Sequence, residues 1–314
     1  MHRTLSAAGA FWLAAFTYFI WGFTFLASRI AQDYGTPFVL LFWRFALAFL
    51  VLNLLRLTGR FPVRFRSRKL WPVLLAGLFE PVLYFPCEQY GLRLTSTSFS
   101  GVMVALIPLC SLVYGAIFLH EKATWRQVVF SVLSVAGVIV LAVYATGIDA
   151  GSFLGFLILL GTVFAGAGYM VACRACSGSF TAFERTYITC GMGAAAFGVL
   201  SVLEHRHDLS AVVLPMTHAP FALAIVFLSV VASVLSYLAL NRALEVLPVA
   251  RTAALINFST VVSVLAGVLL LHEPFGWVSA AASAAILVGI WGVQRFAAPA
   301  LPDADKRTEP LPPS

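Results

Sequence analysis

The sequence is poor in charge. Asp, Glu, Lys and Arg together make up 11% of its 314 residues, whereas an ordinary soluble domain has about 25%. Hydrophobic residues make up 61%. A soluble protein of this length would need more charge to cover its surface, and long apolar stretches recur here from end to end. The composition therefore argues against an ordinary soluble domain and indicates a protein whose solvent is the membrane.

Cysteine is also scarce. The five cysteines lie in or beside apolar segments, whereas disulfide frameworks belong to small secreted domains. Cys173 and Cys176 form a C-x-x-C pair, but no thioredoxin-like βαβ pattern surrounds it. We therefore predict no disulfide framework and interpret this pair as filling space at a helix end.

Metal-binding patterns are missing as well. The pairs His120–Glu121 and His272–Glu273 lack the second histidine of the zinc motif H-E-x-x-H. The stretch EHRHD (204–208) has no further ligands clustered around it. We expect no metal, no cofactor and no catalytic set, and hence no enzyme. Glu121 and Glu273 each precede a predicted helix, where a carboxylate favours the positive end of the helix dipole, and this indicates a capping role.

Apolar stretches long enough to cross a bilayer are what the sequence has in abundance, since a spanning helix needs about 20 mostly apolar residues. We predict an all-α membrane protein with ten transmembrane helices. They cover about residues 10–30, 36–57, 70–93, 98–119, 124–146, 152–173, 181–203, 217–240, 246–271 and 275–296. The tail 297–314 is rich in proline and charge, and we expect it to be disordered.

The positive charges fall on one side of these predicted helices. With the N-terminus inside, sixteen Lys and Arg residues lie on the inner side and three on the outer side, and Arg44 falls within a span. This bias predicts an inner-membrane protein with cytoplasmic N- and C-termini. It also accounts for the net charge of +7 without nucleic acid. We interpret the run RFPVRFRSRK (60–69) as a topology anchor, with specific lipid or nucleic-acid binding as the alternatives.

An internal repeat divides the chain. GAIFLHEKATW (115–125) matches GVLLLHEPFGW (267–277) at an offset of 152 residues. Each repeat then contains five spans, and because five is odd the second repeat enters the membrane inverted. Inverted repeats suit alternating access, with a site near mid-membrane between the halves. The predicted units are 1–146, 147–296 and the tail 297–314.

These features together resemble the EamA-type branch of the drug/metabolite transporter superfamily. The resemblance is carried by WGFTF (21–25), WRF (43–45), YGLRLTS (90–96), Ile107–Pro108 and NRALEVLPVARTAALI (241–256). It implies ten helices in two inverted halves, and a secondary transporter that often exports amino acids or related compounds. It also leaves room for a homodimer. The chain departs from the family pattern in the ninth span, where Thr260 stands opposite Pro108 and a second kink is in doubt.

The candidate site lies in the third span, AGLFEPVLYFPCEQYG (76–91). Glu80 falls near the midplane, and a charge there is costly unless it faces a cavity or a partner. Glu80, Tyr84 and Glu88 recur every four residues and so share one helical face. Pro81 and Pro86 should bend the helix. At the offset of 152, Glu80 corresponds to Ala232 and Glu88 to Leu240, so the acids belong to one half only.

Arg44 is the predicted partner of Glu80, and three roles for Glu80 stay open. The first is a structural ion pair with Arg44. The second is contact with substrate or transfer of a proton, and the third is a protonated side chain that only packs in the core. Further candidates for the substrate site are neutral or aromatic: Tyr18, Trp21, Ser233, Ser236, Tyr237 and Asn257. The expected partners are a small molecule, the lipid bilayer and protons. The alternative function is a passive channel, although no ring of like charges recurs across the spans.

Overall fold

The computed structural model describes residues 5–63, 69–94, 103–146, 153–262 and 276–296, and the regular structure in these ranges is entirely helical. Six of the helices are long and apolar enough to cross a membrane: α1, α2, α6, α7, α8 and α10. In chain order the helices are α1 (Ala7–Gln32), α2 (Pro37–Leu57), α3 (71–94), α4 (Ile107–Phe118), α5 (Trp125–Thr146), α6 (Phe153–Ala175), α7 (Ala182–Glu204), α8 (Ala219–Ala243), α9 (Val249–Val262) and α10 (Trp277–Arg295). A short helix, Ser210–Val213, and a 3-10 turn, Leu214–Thr217, lie between α7 and α8.

The surface of this bundle is apolar. Leu54, Leu57 and Leu203 are 56%, 82% and 60% exposed, as expected of side chains that face lipid. The predicted tail, the second H-E pair and residues 64–68 of the basic run lie outside the described residues.

Helix starts follow local sequence signals. Thr36 accepts the Val39 N–H at 3.4 Å and is followed by Pro37, whose fixed φ suits a first turn. Thr181 and Glu184 form a capping box at the start of α7. Here two of the expected spans begin where polar caps interrupt the apolar sequence.

The helix α3 is broken in its middle. It consists of Trp71–Gly77, a π-helical turn over Leu78–Leu83 and Tyr84–Leu94. Glu80 has extended backbone angles, φ −143° and ψ 119°, because the ring of the next residue, Pro81, disfavours the helical region for its predecessor. The expected bend is therefore at Glu80–Pro81. Pro86 lies in the first turn of the second part, where proline is tolerated.

The helix α8 contains a corresponding irregularity without a proline. Its π-helical segment is Phe227–Leu235, which overlaps the segment 152 residues after the π turn of α3. Helix α9 is likewise interrupted at Leu255, close to the position that matches the turn preceding Ile107 in α4. The segment around Thr260 therefore follows an interruption of the helix although it has no proline.

Helix pairing is consistent with two related halves. The most extensive contacts join α5 with α10, α3 with α6, α1 with α8, and α2 with α7, and further contacts join α3 with α7, α2 with α8, α4 with α6, and α4 with α9. If the two sets of five helices are exchanged, α5–α10, α2–α7 and α4–α9 map onto themselves. The pairs α1–α8 and α3–α6 map onto each other, and so do α2–α8 and α3–α7.

The pair α5–α10 shows the relation residue by residue. Ser134 Oγ donates to the carbonyl of Ile286, 152 residues later, at 3.5 Å. A Cβ at Gly289 would lie 2.6 Å from Ser134 Cβ, and one at Gly137 would lie 2.9 Å from Ile286 Cγ1. The two helices are therefore antiparallel. Gly137 and Gly289 correspond to each other at the offset of 152, and each permits close contact with the partner helix.

Contacts at the two ends of the bundle show the relative direction of α2 and α7. At the basic end, named here for Arg56, Arg174, Arg185 and Arg242, the end of α2 meets the start of α7 through Arg56 and Tyr187. At the opposite end, Thr36 before α2 donates to Glu204 at the close of α7, with 2.7 Å between the oxygens. Helices α2 and α7, which occupy equivalent places in the two halves, therefore run in opposite directions.

Candidate functional site

The central group of polar side chains forms where α3 and α8 are both irregular. The hydroxyl of Tyr237 on α8 donates to the carboxylate of Glu80 on α3. Both residues are buried, at 3% and 7% exposure. The extended backbone at Glu80 takes this residue out of the helical arrangement that the spacing predicted. The acid of the first half is thus bound by a residue of the second half.

Aromatic side chains surround this hydrogen bond. Trp21 lies edge-on to both Tyr18 and Tyr237, with ring centroids 5.3 and 5.4 Å apart, and Tyr169 of α6 lies 5.9 Å from Tyr237. The hydroxyl of Tyr18 is buried and has no hydrogen-bond partner within the described ranges. Tyr18, Trp21 and Tyr169 therefore form an aromatic group around Tyr237, the donor to Glu80.

Helix α1 is attached to the irregular part of α8. Trp21 Nε1 donates to the carbonyl of Ala232 at 2.9 Å, and Thr17 Oγ1 donates to the carbonyl of Ser236 at 3.0 Å. Ala232 is the counterpart of Glu80 at the offset of 152. Where α3 presents a carboxylate, α8 thus presents a peptide carbonyl to a donor from the other half.

The predicted Arg44–Glu80 ion pair is wrong as a contact. Among the described residues no ion pair joins Arg44 to a carboxylate within 4.0 Å. Arg44 Nε donates instead to Ser233 Oγ of α8 at 2.9 Å, and its guanidinium lies 4.7 Å from the centre of the Phe85 ring. Because the break in α3 directs Glu80 toward Tyr237, Arg44 binds the neutral side chain of Ser233 instead.

Glu88 belongs to a second polar group on α3, toward the end opposite the basic end. Tyr84 donates to Glu88 at 3.2 Å and Gln89 Nε2 donates to its other oxygen at 3.4 Å. Gln32, at the end of α1, donates to Gln89. The shared helical face predicted from the spacing therefore holds for Tyr84 and Glu88, which lie on the regular part of α3.

Two of the predicted site residues bind elsewhere. Ser236 Oγ donates to the carbonyl of Val231 within α8 at 2.9 Å, and Asn257 Nδ2 donates to Ser134 Oγ on α5 at 3.0 Å. Asn257 thus joins α9 to the α5–α10 pair. These contacts occupy the Ser236 hydroxyl and the Asn257 amide nitrogen, while Asn257 Oδ1 is buried without a donor among the described residues.

Sequence reasoning missed Tyr169 and Phe85. Each is one aromatic in an apolar helix, which in a membrane protein indicates packing and nothing more specific. Tyr169 accepts a hydrogen bond from Asn241 at 3.2 Å, and Asn241 in turn lies beside the basic end.

A polar network joins the helices at the basic end. Arg185, fully buried, donates to the carbonyls of Cys173 and Asn241 at 2.7 and 2.6 Å and to Glu245 at 2.9 Å. Arg242 pairs with the same carboxylate. The network connects the end of α6, the start of α7 and the end of α8. The sequence indicates only topology signals at Arg185 and Arg242, because no local pattern distinguishes these residues from exposed arginines.

Glu121 caps a helix of the other half. Both its carboxylate oxygens accept the N–H of Val249 at the start of α9, at 3.0 and 3.2 Å, and Arg174 Nε lies 3.8 Å away. Burial raises the pKa of Glu121, against the opposing effects of Arg174 and the N–H of Val249. The prediction of a capping role for Glu121 therefore names the wrong helix.

The start of α5, which follows Glu121 in the chain, has its own cap. Thr124 N donates to Gln127 Oε1 at 3.0 Å, and Gln127 N donates to Thr124 Oγ1 at 3.2 Å.

The central group offers a carboxylate, a cation, a spare hydroxyl and aromatic faces, which suit a small polar molecule. No group of three metal-ligating side chains occurs in the ranges that the structure describes.

Comparison with known proteins gives a consistent assignment. The model of the EamA-like transporter family matches residues 8–143 and 153–295. The uncharacterized transporter YcxC of Bacillus subtilis is 32% identical over 285 residues, which cover 90% of this chain and 91% of YcxC. An uncharacterized transporter of Archaeoglobus fulgidus is 25% identical over 284 residues, 90% of this chain and 97% of that protein. One crystal structure, 19% identical, matches 93% of this chain with a TM-score of 0.78 and so shares its fold.

Proposed function

This chain belongs to the EamA-like transporter family, and from that membership we propose that it is a secondary active transporter of small metabolites. The relatives at 32% and 25% identity are named transporters. We propose export of amino acids or related compounds by alternating access between two inverted halves, and not catalysis. Substrate binds beside Glu80, between α3 and α8.

The hydrogen bond from Tyr237 to Glu80 carries this proposal, because it joins the two halves at the point where both of their third helices lose regular geometry. Irregular backbone at membrane depth is tolerated where it lines a cavity or is buried in protein. In inverted-repeat transporters the substrate site lies between the halves, on interrupted helices. A buried carboxylate there can exchange a proton for substrate, and we propose Glu80 as the coupling residue.

The membrane arrangement is part of the proposal. Six helices are long enough to span, and we assign the remaining four spans to α3, α4, α5 and α9. The basic end then faces the cytoplasm of a cell whose inner membrane holds the protein, with both termini on that side.

The test is transport by purified protein in proteoliposomes, with a substrate found by a thermal-shift screen of a metabolite library. Glu80→Gln keeps the size and the acceptor oxygen but cannot release a proton. We expect it to lose uptake driven by a pH gradient while retaining counterflow exchange. Glu204→Gln, the same change at an acid that accepts from Thr36 at the end opposite the basic end, is the matched control. Full gradient-driven uptake by Glu80→Gln would remove the coupling role.

A passive channel is the alternative. It predicts electrical conductance, flux that does not saturate and no counterflow exchange. Helix α3 favours the carrier, because its midplane acid is bound by the opposite half and does not belong to a repeated ring of like charges. Saturable counterflow in the same vesicles separates the two functions.

A further inference from the structure

Arg44 is a buried cation with no ionic partner among the described residues. It is the eighth residue of α2, about 12 Å from the helix start, and it is 5% exposed. Its Nε donates to Ser233 Oγ at 2.9 Å. In the part of the chain that the structure describes, its two terminal amino groups have no hydrogen-bond acceptor. Charges at such depth normally face a cavity or a partner.

The surrounding side chains orient Arg44 without neutralising it. Ser233 is a neutral acceptor, and the rings of Phe85 and Phe45 lie 4.7 and 5.4 Å from the guanidinium carbon. Aromatic faces stabilise a cation only partly. Glu80 accepts from Tyr237, and Glu88 accepts from Tyr84 and Gln89, so both nearby acids have donors other than Arg44.

A second buried polar group lies on α1. The hydroxyl of Tyr18 is fully buried and makes no hydrogen bond to any residue that the structure describes, although a buried polar group without one is costly. Tyr18 packs on Trp21, and Trp21 packs on Tyr237, which lies one helical turn after Ser233 on α8. Tyr18 and Arg44, on different helices of the first half, therefore both present unused donors near this part of α8.

We propose that Arg44 binds a carboxylate group of the transported molecule through its two terminal amino groups, and that Ser233 is the positioning residue that fixes the guanidinium. This inference rests on the proposed transport function and names the chemical class of the substrate. With Nε taken by Ser233, the free edge of the guanidinium carries two parallel N–H donors, and that edge matches the two oxygens of a carboxylate.

The carboxylate is tested first on the unmodified protein. Purified protein in lipid nanodiscs is heated with a panel of amino acids, hydroxy acids and dicarboxylic acids, each paired with its primary amide. An amide keeps the shape of the acid but removes the negative charge. We expect at least one acid to stabilise the protein and its amide to bind at least tenfold more weakly. Equal stabilisation by acid and amide, or no stabilisation by any acid, would overturn the inference. Chloride at equal ionic strength shows whether any small anion suffices, and stabilisation by chloride alone would also overturn it.

Variants then locate the contact. Arg44→Gln should abolish the preference for acid over amide. Arg44→Lys should keep a weaker preference, because lysine supplies a charge without the two-pronged edge. Ser233→Ala should weaken acid binding roughly fivefold, the effect of one lost hydrogen bond, and leave amide binding unchanged. Arg56→Gln, on the same helix at the basic end, is the matched control and should bind as the wild type does. A preference that survives in Arg44→Gln would refute the assignment.

Uptake by the wild-type protein separates this inference from the transport function. If amides are carried against a gradient as well as acids are, the carboxylate site is wrong and the transporter remains. If no compound of either kind is carried against a gradient, the transport function itself fails.

Discussion

Replacing Glu121 by alanine should loosen the basic end of the bundle. Helix α9 begins after Pro248, which offers no side-chain cap, and the Val249 N–H is satisfied by the two oxygens of Glu121. Arg174 lies beside the same carboxylate and donates to the carbonyl of Leu244 at 2.8 Å. The substitution therefore removes the cap of α9 and the acid beside Arg174, and both of these belong to the half opposite Glu121.

The cost can be worked from these contacts. Loss of a helix cap costs about 0.5–2 kcal/mol. The ion pair contributes at most about 1 kcal/mol, and its length of 3.8 Å and side chains 22% and 18% exposed place it near the low end of that range. A total of about 1–2 kcal/mol corresponds to roughly a 5- to 30-fold increase in local opening, since about 1.4 kcal/mol is a factor of ten.

Two native thiols report this opening. Cys173 and Cys176, at the end of α6 next to Arg174, are 0% and 2% exposed. With the half-buried Cys87 and Cys110 replaced, maleimide labelling of Cys173 and Cys176 should become 5- to 30-fold faster in Glu121→Ala. The buried Cys190 on α7 should react as slowly as in the wild type.

Glu121→Gln is the control for the cap, because it keeps an acceptor oxygen and removes only the negative charge. Burial already disfavours that charge and raises the pKa of Glu121. The thiols of Glu121→Gln should therefore be labelled within about twofold of the wild-type rate. Because the pKa of Glu121 is raised in the folded protein, the contribution of this group to folding stability falls as pH rises through that pKa. Any difference in stability should therefore favour Glu121→Gln over the wild type at higher pH. Unchanged labelling in Glu121→Ala would refute the capping argument. Equal acceleration at Cys190 would show global unfolding instead.

Three further substitutions test packing, the buried ion pair and the site. Gly289→Ala should lower stability by about 1–3 kcal/mol in a detergent melt, because its Cβ would overlap atoms of α5; Gly178→Ala, with nothing within 4 Å, is its neutral control. Arg185→Leu should cost about 1–3 kcal/mol and reduce the yield of folded protein, because the carbonyls of Cys173 and Asn241 lose their donor while Glu245 keeps Arg242. Trp21→Phe should cost about 0.5–1.5 kcal/mol of thermal stability, since the aromatic contact stays but the indole donor is lost.

Much of the helical framework could be predicted from the sequence, because apolar length and polar caps are local signals. Thr36 and Thr181 cap helices at the places where apolar segments begin. The offset of 152 residues predicted that the halves are related, and Ser134 bonding to Ile286 is consistent with that relation. Proline at position 81 predicted the bend in α3.

The contacts of the site could be predicted only in part, because they depend on how helices rotate against one another. Arg44 and Glu80 lie at similar depth, which suggested an ion pair, but depth says nothing about which face each side chain occupies. The extended residue at the break turns Glu80 toward Tyr237. Tyr237 was among the candidates as a neutral donor from the other half, while its partner could be found only in three dimensions.

The breaks in α3 and α8 have different causes, and this difference explains why only one could be expected. In α3 the break follows from Pro81 within the helix itself. In α8 the segment Phe227–Leu235 has no proline, and its wide turn leaves carbonyls that need donors. Trp21 of α1 donates to one of them, at Ala232, and Thr17 donates to the carbonyl of Ser236, which directly follows the segment. The irregular geometry of α8 is thus stabilised by side chains of a distant part of the sequence, so a movement of α1 away from α8 must either carry the wide turn with it or leave its carbonyls unsatisfied.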